Sequence, residues 1–373
     1  GLGDVYKRQA RQGGSVGCAG MFYDLNVPWP AVEPPPGAAP PSKKAKKAAA
    51  QTASGAKPAP GDELLGEAAL QRLPAEEQGR LKELAYELAS CTCAFNVHSV
   101  LTGSVGYGTV AFNHMVATRF DAALHANPFR TTGNRPHPPF PQLDPRVHGA
   151  GKESRGLVQL SRLTVLLDQD SIKGGSGFVA ANSTALQQYD LLAARPLTEA
   201  AFQHACITMS ELKPFSVDII SLDLAAAPRL PFYLKRSTVG AALANGVVFE
   251  VEYSAATGDA GSGDAKARRR NMISGAREIL RATNARGVIF TSGAQQALGL
   301  RAPYDVMNLA AVMGMSAGAA KEALSSACHS LCLRAQTRQT FRGVISRPTL
   351  ESASTADTRA SGGASVRKRK LDA

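Results

Sequence analysis

The chain has 373 residues, of which 44% are hydrophobic and 19% charged, with a net charge of +12 and a pI near 9.6. This composition suits a globular body with an ample core, and six scattered cysteines without a Cys-x-x-Cys pair exclude a disulfide framework or a zinc ribbon. No apolar run approaches the roughly 18–20 residues that a membrane-crossing helix needs, so a soluble, reducing setting without a membrane partner is expected.

The basic excess suggests a polyanionic partner, but it is concentrated at the edges. Residues 1–20 carry +2, residues 42–57 carry +5 and residues 334–373 carry +6, which leaves −1 for the rest. Any polyanion-binding surface on the body must therefore be a local cluster.

Residues 1–20 have no periodicity and no signal-peptide core, and are read as a leader outside the fold, with Met21 the candidate start. A single domain is expected over residues 21–346. Its first strand is predicted at Met21–Val27. Residues 28–61, rich in Pro, Ala and Lys and containing Trp29, read as a disordered basic insertion. A helix follows at Ala75–Ser90, a strand at Thr109–Asn113, and a long loop over residues 127–156. Further strands are predicted at Val158–Leu167, Tyr189–Ala193, Val217–Leu222, Val247–Tyr253 and Val288–Thr291. Helices fall at Thr198–Cys206, Val239–Ala244, Ala267–Thr283, Tyr304–Met313 and Ala317–Leu333, the last one broken. Thr198 is a suitable N-cap. Residues 347–373 read as a disordered basic tail, in which Arg367, Lys368, Arg369 and Lys370 form a nuclear localisation signal or, failing that, a solvated cluster. Seven strands separated mostly by helices imply an α/β fold with a parallel sheet, and a closed (β/α) barrel is the economical form. Sites in such barrels lie at the C-terminal ends of the strands.

Catalytic constellations are sparse. A phosphate-ester metal cluster needs several converging N and O ligands, and the inward candidates are Asp24, His114, Asp218 and Glu250, too few to build one. The run Gly103-Ser-Val-Gly106-Tyr-Gly108 precedes a strand, the wrong context for a phosphate-binding loop. No catalytic residues and no metal ligands are assigned. Basic positions at element ends carry more weight: Lys235 and Arg236, the run Arg268–Arg270, Arg301, and Arg334, Arg338 and Arg342 at four-residue spacing. Guanidinium forks suit phosphate. Aromatic content of 6% with one Trp argues against a base-stacking platform, so shape and backbone recognition of structured RNA is expected.

Several segments occur in an order that resembles the thirty-kilodalton protein subunit family of ribonuclease P. They are MFYDLNV at 21–27, FNHMV at 112–116, SRLTVLL at 161–167, YDLLAARPLTEAAFQHAC at 189–206, VDIISLD at 217–223, RLPFYLKR at 229–236, FEVEYS at 249–254, RRRNMIS at 268–274, VIFTSGA at 288–294, RAPYDVMNL at 301–309 and TRQTFRGVIS at 337–346. The resemblance implies a distorted TIM-like (β/α) barrel related to the polymerase and histidinol phosphatase (PHP) barrels but lacking their metal set; Asp24-Leu25-Asn26 stands where those barrels place His-x-His. It further implies a non-catalytic RNA-binding subunit of nuclear ribonuclease P, and of RNase MRP, supporting 5′ leader removal from precursor tRNA and rRNA processing. Catalysis would reside in the RNA with its magnesium, with no cofactor on the protein. The partners would be ribonuclease P RNA, RNase MRP RNA, precursor tRNA as substrate of the complex, and other protein subunits, in the nucleus and nucleolus. Lys235, Arg236, Arg269, Arg270, Arg301 and Arg338 would face RNA or a partner. The alternative is a PHP-type metal-dependent phosphoesterase with a reduced ligand set.

Overall fold

Seven short apolar runs become seven parallel strands paired in sequence order, the ladder of a (β/α) barrel. The computed structural model describes residues 22–30, 65–90, 106–117, 119–122, 125, 127, 129, 137–148, 156–257 and 264–339. The strands are β1 (Phe22–Trp29), β2 (Tyr107–Val116), β3 (Val158–Leu167), β4 (Leu191–Pro196), β5 (Ile219–Ser221), β6 (Val248–Glu252) and β7 (Val288–Thr291). The longer helices are α1 (Leu65–Gln71), α2 (Ala75–Ser90), α3 (Glu199–Ile207), α4 (Arg236–Ala244), α5 (Ala265–Thr283), α6 (Pro303–Met313), α7 (Ala317–Leu324) and α8 (Ser326–Gln339). The predicted break in the last helix falls at Ser325. Among the described residues no helix is long and apolar enough to cross a membrane.

Two apolar layers follow from strand alternation. Side chains such as Val27, Phe112, Val165, Ile220 and Phe290 face outward and meet the helices. Tyr23, Leu25, Ala111, Ala193, Ile219 and Ile289 face the lumen. Helix α2 buries Leu81, Leu84, Ala85 and Leu88, spaced i, i+3, i+4, i+7, against the outer layer. Each fully buried Leu contributes about 1.5–3 kcal/mol.

The seam between β1 and β7 carries no strand ladder. It is closed by Ser292 N–H donating to Asp24 Oδ1 (3.0 Å) and Gly293 N–H donating to Asn26 O (3.0 Å). Gly293 has φ 58° and lies against Glu252, a left-handed conformation that favours glycine.

Three expectations need correction. Pro28 and Trp29 belong to β1, not to the insertion. β1 forms a strand ladder on one side only, where a proline is tolerated, and Trp29 packs edge-on against Phe112 and Phe129 at centroid distances of 5.8 and 5.1 Å. The described parts of the 127–156 loop are pinned to the barrel: Phe129 and Phe140 are buried, and buried Asp144 accepts from Gln159 N–H (3.1 Å) and pairs with Arg146 (2.7 Å). The strand drawn from Tyr189 begins at Leu191, because the Tyr189 and Asp190 carbonyls turn to accept bonds from Arg338. The leader, residues 31–61, the tail and the Arg367–Lys370 cluster lie outside the described residues.

Candidate functional site

At the C-terminal half of the lumen, one hydrogen-bonded network crosses all seven strands. Arg162 on β3 forms a bidentate pair with Glu250 on β6, Nη1–Oε1 2.5 Å and Nη2–Oε2 2.6 Å, with both side chains fully buried. Its Nη1 also donates to Leu25 O (2.8 Å) and its Nε to Thr164 Oγ1 (3.2 Å). The chain of bonds continues from Thr164 to Asn113 Oδ1 (2.7 Å), from Asn113 to Asn26 Oδ1 (2.8 Å), and from Asn26 to Glu252 Oε1 (2.9 Å). Glu252 pairs with Arg195, which also donates to Ser221 Oγ (2.9 Å), and Thr291 donates to Glu250 Oε1 (2.8 Å). Burial pushes the Glu250 carboxyl up, but the Arg162 guanidinium overcomes this and holds it below its ordinary value.

The four inward ligand candidates do not converge. Glu250 faces the lumen, whereas Asp24 is buried at the β1–β7 seam, its Oδ1 accepting from Ser292 N–H. His114 lies on the outer face of β2, its ring edge-on to His125 and Tyr189, and burial pushes its pKa down to about 4. Asp218 sits at the opposite end of the barrel, where Oδ1 accepts from Arg334 (2.5 Å) and Oδ2 from Arg338 (3.2 Å). Arg162 and Arg195 bring two guanidiniums into the C-terminal half of the lumen, and positive charge there opposes a divalent cation. Among the described residues no group of three or more His, Cys, Asp or Glu side chains comes together as metal ligands. The residues present do not fit a metal cluster.

The predicted basic positions separate into two sets. Arg338 is corrected: it is 2% exposed, and it holds Asp218 and the carbonyls of Tyr189 and Asp190 instead of facing RNA. Arg334 shares that role, so the stripe read at 334, 338 and 342 turns toward the barrel for its first two members; Arg342 lies outside the described residues. Arg301 is half-buried, its Nη1 donating to Leu298 O (2.7 Å) and Leu300 O (2.6 Å), which closes the turn ahead of α6. Lys235 is exposed and paired with exposed Glu199 (2.8 Å), a solvent-screened contact easily exchanged for another anion. Arg269 is half-buried, whereas Arg236 and Arg270 are exposed.

Around Arg236 and Arg270 the structure assembles a band that the sequence reading did not join up. The loop after β5 runs beside α5, where Asn271 Nδ2 donates to Ala225 O (3.2 Å). Farther along, Arg229, Tyr233, Arg236 and Arg281 line an open groove of about 780 Å³. It continues through Ser274 and Arg281 into a second depression formed with Arg270 and Arg277. On α5, Arg270, Ser274, Arg277 and Arg281 fall at i, i+4, i+7 and i+11, one face of the helix, opposite buried Met272, Gly275, Ala276 and Ile279. None of Arg229, Arg236, Arg270, Arg277 and Arg281 has a carboxylate partner among the described residues. The spacing of Arg270, Arg277 and Arg281 was a signal available in the sequence. The approach of Arg229 and Tyr233 to them was not.

Comparison with known proteins places this geometry in context. The model of the family described as RNase P subunit p30 matches residues 99–340. "Ribonuclease P protein subunit p30" of Mus musculus is 32% identical over 242 residues, covering 65% of this chain and 81% of that protein. "Probable ribonuclease P protein subunit 3" of Schizosaccharomyces pombe is 35% identical over 164 residues, 44% of this chain and 64% of the relative. "Ribonuclease P/MRP protein subunit RPP1" of Saccharomyces cerevisiae is 28% identical over 193 residues, 52% of this chain and 59% of the relative. Strand β1 lies ahead of the family match and is nevertheless paired into the sheet.

Proposed function

The chain belongs to the ribonuclease P subunit p30 family, and from that premise we propose that it is a non-catalytic, RNA-binding protein subunit of nuclear ribonuclease P. In this reading it supports 5′ leader removal from precursor tRNA alongside other protein subunits. It serves RNase MRP, and so rRNA processing, in the same way, with magnesium held by the RNA and none by the protein. The Arg367–Lys370 cluster would direct it to the nucleus and nucleolus.

The observation that carries the RNA-binding reading is the contrast in pairing. Arg162 and Arg195 each pair with their own carboxylate and Arg334 and Arg338 share Asp218, whereas the α4–α5 flank presents five arginines with no carboxylate partner among the described residues. Unpaired exposed guanidiniums displace condensed counterions from a phosphate backbone and bind it bidentately. The near-neutral remainder of the body supplies little long-range attraction, which suits a subunit held by a local band within an assembly.

The test is to isolate the tagged protein from cells and identify what accompanies it. Recovery of ribonuclease P RNA and RNase MRP RNA, with magnesium-dependent cleavage of precursor tRNA by the isolated complex, is expected. Reproducible absence of both RNAs, with phosphoesterase activity and bound metal in the protein alone, would overturn it.

A further inference from the structure

We propose that the groove beside Tyr233 binds an unpaired nucleotide of RNA, with the Tyr233 ring stacked on its base and Arg229, Arg236 and Arg281 holding the flanking phosphates. This rests on the RNA-binding reading above and deepens it by naming the kind of RNA element recognised.

The first support is the way Tyr233 is held. It is 70% exposed, while its neighbours Phe232 and Leu234 are 6% and 3% exposed. Phe232 stacks on Phe202 of α3 with ring centroids 5.0 Å apart and an interplanar angle of 26°. The loop is therefore anchored on both sides of the tyrosine, and local alternation directs the ring into solvent. A ring presented from an anchored backbone loses little entropy when a base stacks on it.

The second support is the chemistry of the walls. The groove, at about 780 Å³, falls within the roughly 300–1,000 Å³ typical of small-ligand sites, so it admits a single nucleotide. Three guanidiniums line it, and one carboxylate, Glu278, stands among them. A carboxylate is acceptor-only and opposes a phosphate, but it accepts from the exocyclic amine of a base such as cytosine. The combination of cationic walls, a flat aromatic face and a single acceptor matches an extruded amine-bearing base better than an unbroken duplex backbone. Sequence-specific RNA contacts favour such splayed bases in loops and bulges, stacked on aromatic side chains.

The third support separates RNA from an acidic protein segment. Beyond the groove, Arg277 and Arg270 continue the positive face along α5, so that Arg270 to Arg281 spans about 16 Å of helix axis. A continuous run of this length suits a polyanion whose charge repeats along its backbone.

The experiment measures binding of the full-length chain to two labelled RNA hairpins that differ only by one bulged cytosine. The bulged hairpin should bind more tightly. Tyr233→Ala should weaken that complex about tenfold, within the range of one base–aromatic stack, and leave the paired hairpin unchanged. Tyr233→Phe keeps the ring and should bind like the unmodified protein. A 2-aminopurine placed at the bulge should be quenched by the unmodified protein and by Tyr233→Phe, and not by Tyr233→Ala. Equal affinity of Tyr233→Ala and the unmodified protein for the bulged hairpin overturns the stacking site while leaving the arginine band intact. So does failure of Tyr233→Phe to restore binding, and so does loss of a partner subunit from Tyr233→Ala complexes with RNA affinity unchanged, which would give the groove to a protein. Binding to neither hairpin by the unmodified protein overturns the RNA-binding reading itself. Because Tyr233 is exposed, an unchanged thermal midpoint is expected for both variants.

Discussion

Four arginines inside the barrel and five on its flank carry the same charge in opposite surroundings. Arg162, Arg195, Arg334 and Arg338 are buried or nearly so, and each faces a carboxylate. Arg229, Arg236, Arg270, Arg277 and Arg281 are exposed, and none forms an ion pair with a carboxylate among the described residues. A buried charge without a partner costs several kcal/mol, so each of these interior arginines is held at a carboxylate and is committed to the structure. An exposed charge loses almost nothing by standing alone in water. The difference divides the molecule into a region where arginine maintains the structure and one where it is free to meet a ligand. Substitutions that treat the two sets alike should therefore give unlike results.

The largest effect is expected at the bidentate pair. Arg162→Leu leaves Glu250 buried and uncompensated, and should cost about 3–5 kcal/mol in chemical denaturation. The double variant with Glu250→Leu removes both charges and should recover much of that loss. A single variant as stable as the unmodified protein would mean that water reaches Glu250 and that the lumen is not sealed. At the other end of the barrel, Asp218→Ala removes the acceptor for Arg334 and Arg338 together. Arg334 keeps its bonds to the carbonyls of Asn245, Val217 and Ser210, so a smaller loss of about 2–4 kcal/mol is expected.

This division was half legible in the sequence. Strands β3 and β7 and helix α2 match their predicted bounds, because their apolar runs are bounded by residues that also end them in the structure. The sequence ends β1 at Val27 because Pro28 opens a stretch rich in Pro, Ala and Lys, and only the sheet order reveals that β1 ends the ladder. Arg338 was misread because an i, i+4 stripe of arginines looks the same on a solvated helix and on one that plugs a barrel. What decides is Asp218, 120 positions away. His114 follows an apolar run just as an inward ligand would, but strand alternation turns it outward. Likewise, a low aromatic content argues against a stacking platform. It cannot show that one of the few rings is held 70% exposed between two buried neighbours.

A third interior group gives a pH test. Burial pushes the Asp24 carboxyl up from 3.8 to about 6, against bonds from Ser292 and Asn26 that pull it down, and its Oδ2 has no hydrogen-bond partner among the described residues. The folded value lies above the unfolded one, so the native state holds the proton more tightly. This contribution to stability is present below about pH 4 and is lost as pH rises to about 6. Asp24→Asn mimics the protonated form. Relative to the unmodified protein it should be about 2–3 kcal/mol more stable at pH 7, with the two converging near pH 4. Parallel stability curves across that range would show that the ionised carboxylate is already compensated.

The smallest effect on stability, and the largest on binding, belongs to the flank. Arg270→Glu with Arg277→Glu alters two exposed positions on the solvated face of α5 and should change stability by no more than about 0.5 kcal/mol. If the band follows a phosphate backbone, the same variant should lose affinity for RNA. The slope of log affinity against log salt should flatten by about 1.4–1.8, the value for two lost phosphate contacts. Replacing both by lysine tests what kind of contact is lost. Lysine keeps the charge, and so the salt slope, but cannot make the bidentate fork, so affinity should fall at every salt concentration while the slope remains. A slope unchanged by the glutamates would mean that these arginines are ordinary solvated charges. The distinction between interior and flank would then describe only how the barrel is held together, and the polyanion surface would have to be sought elsewhere on the chain.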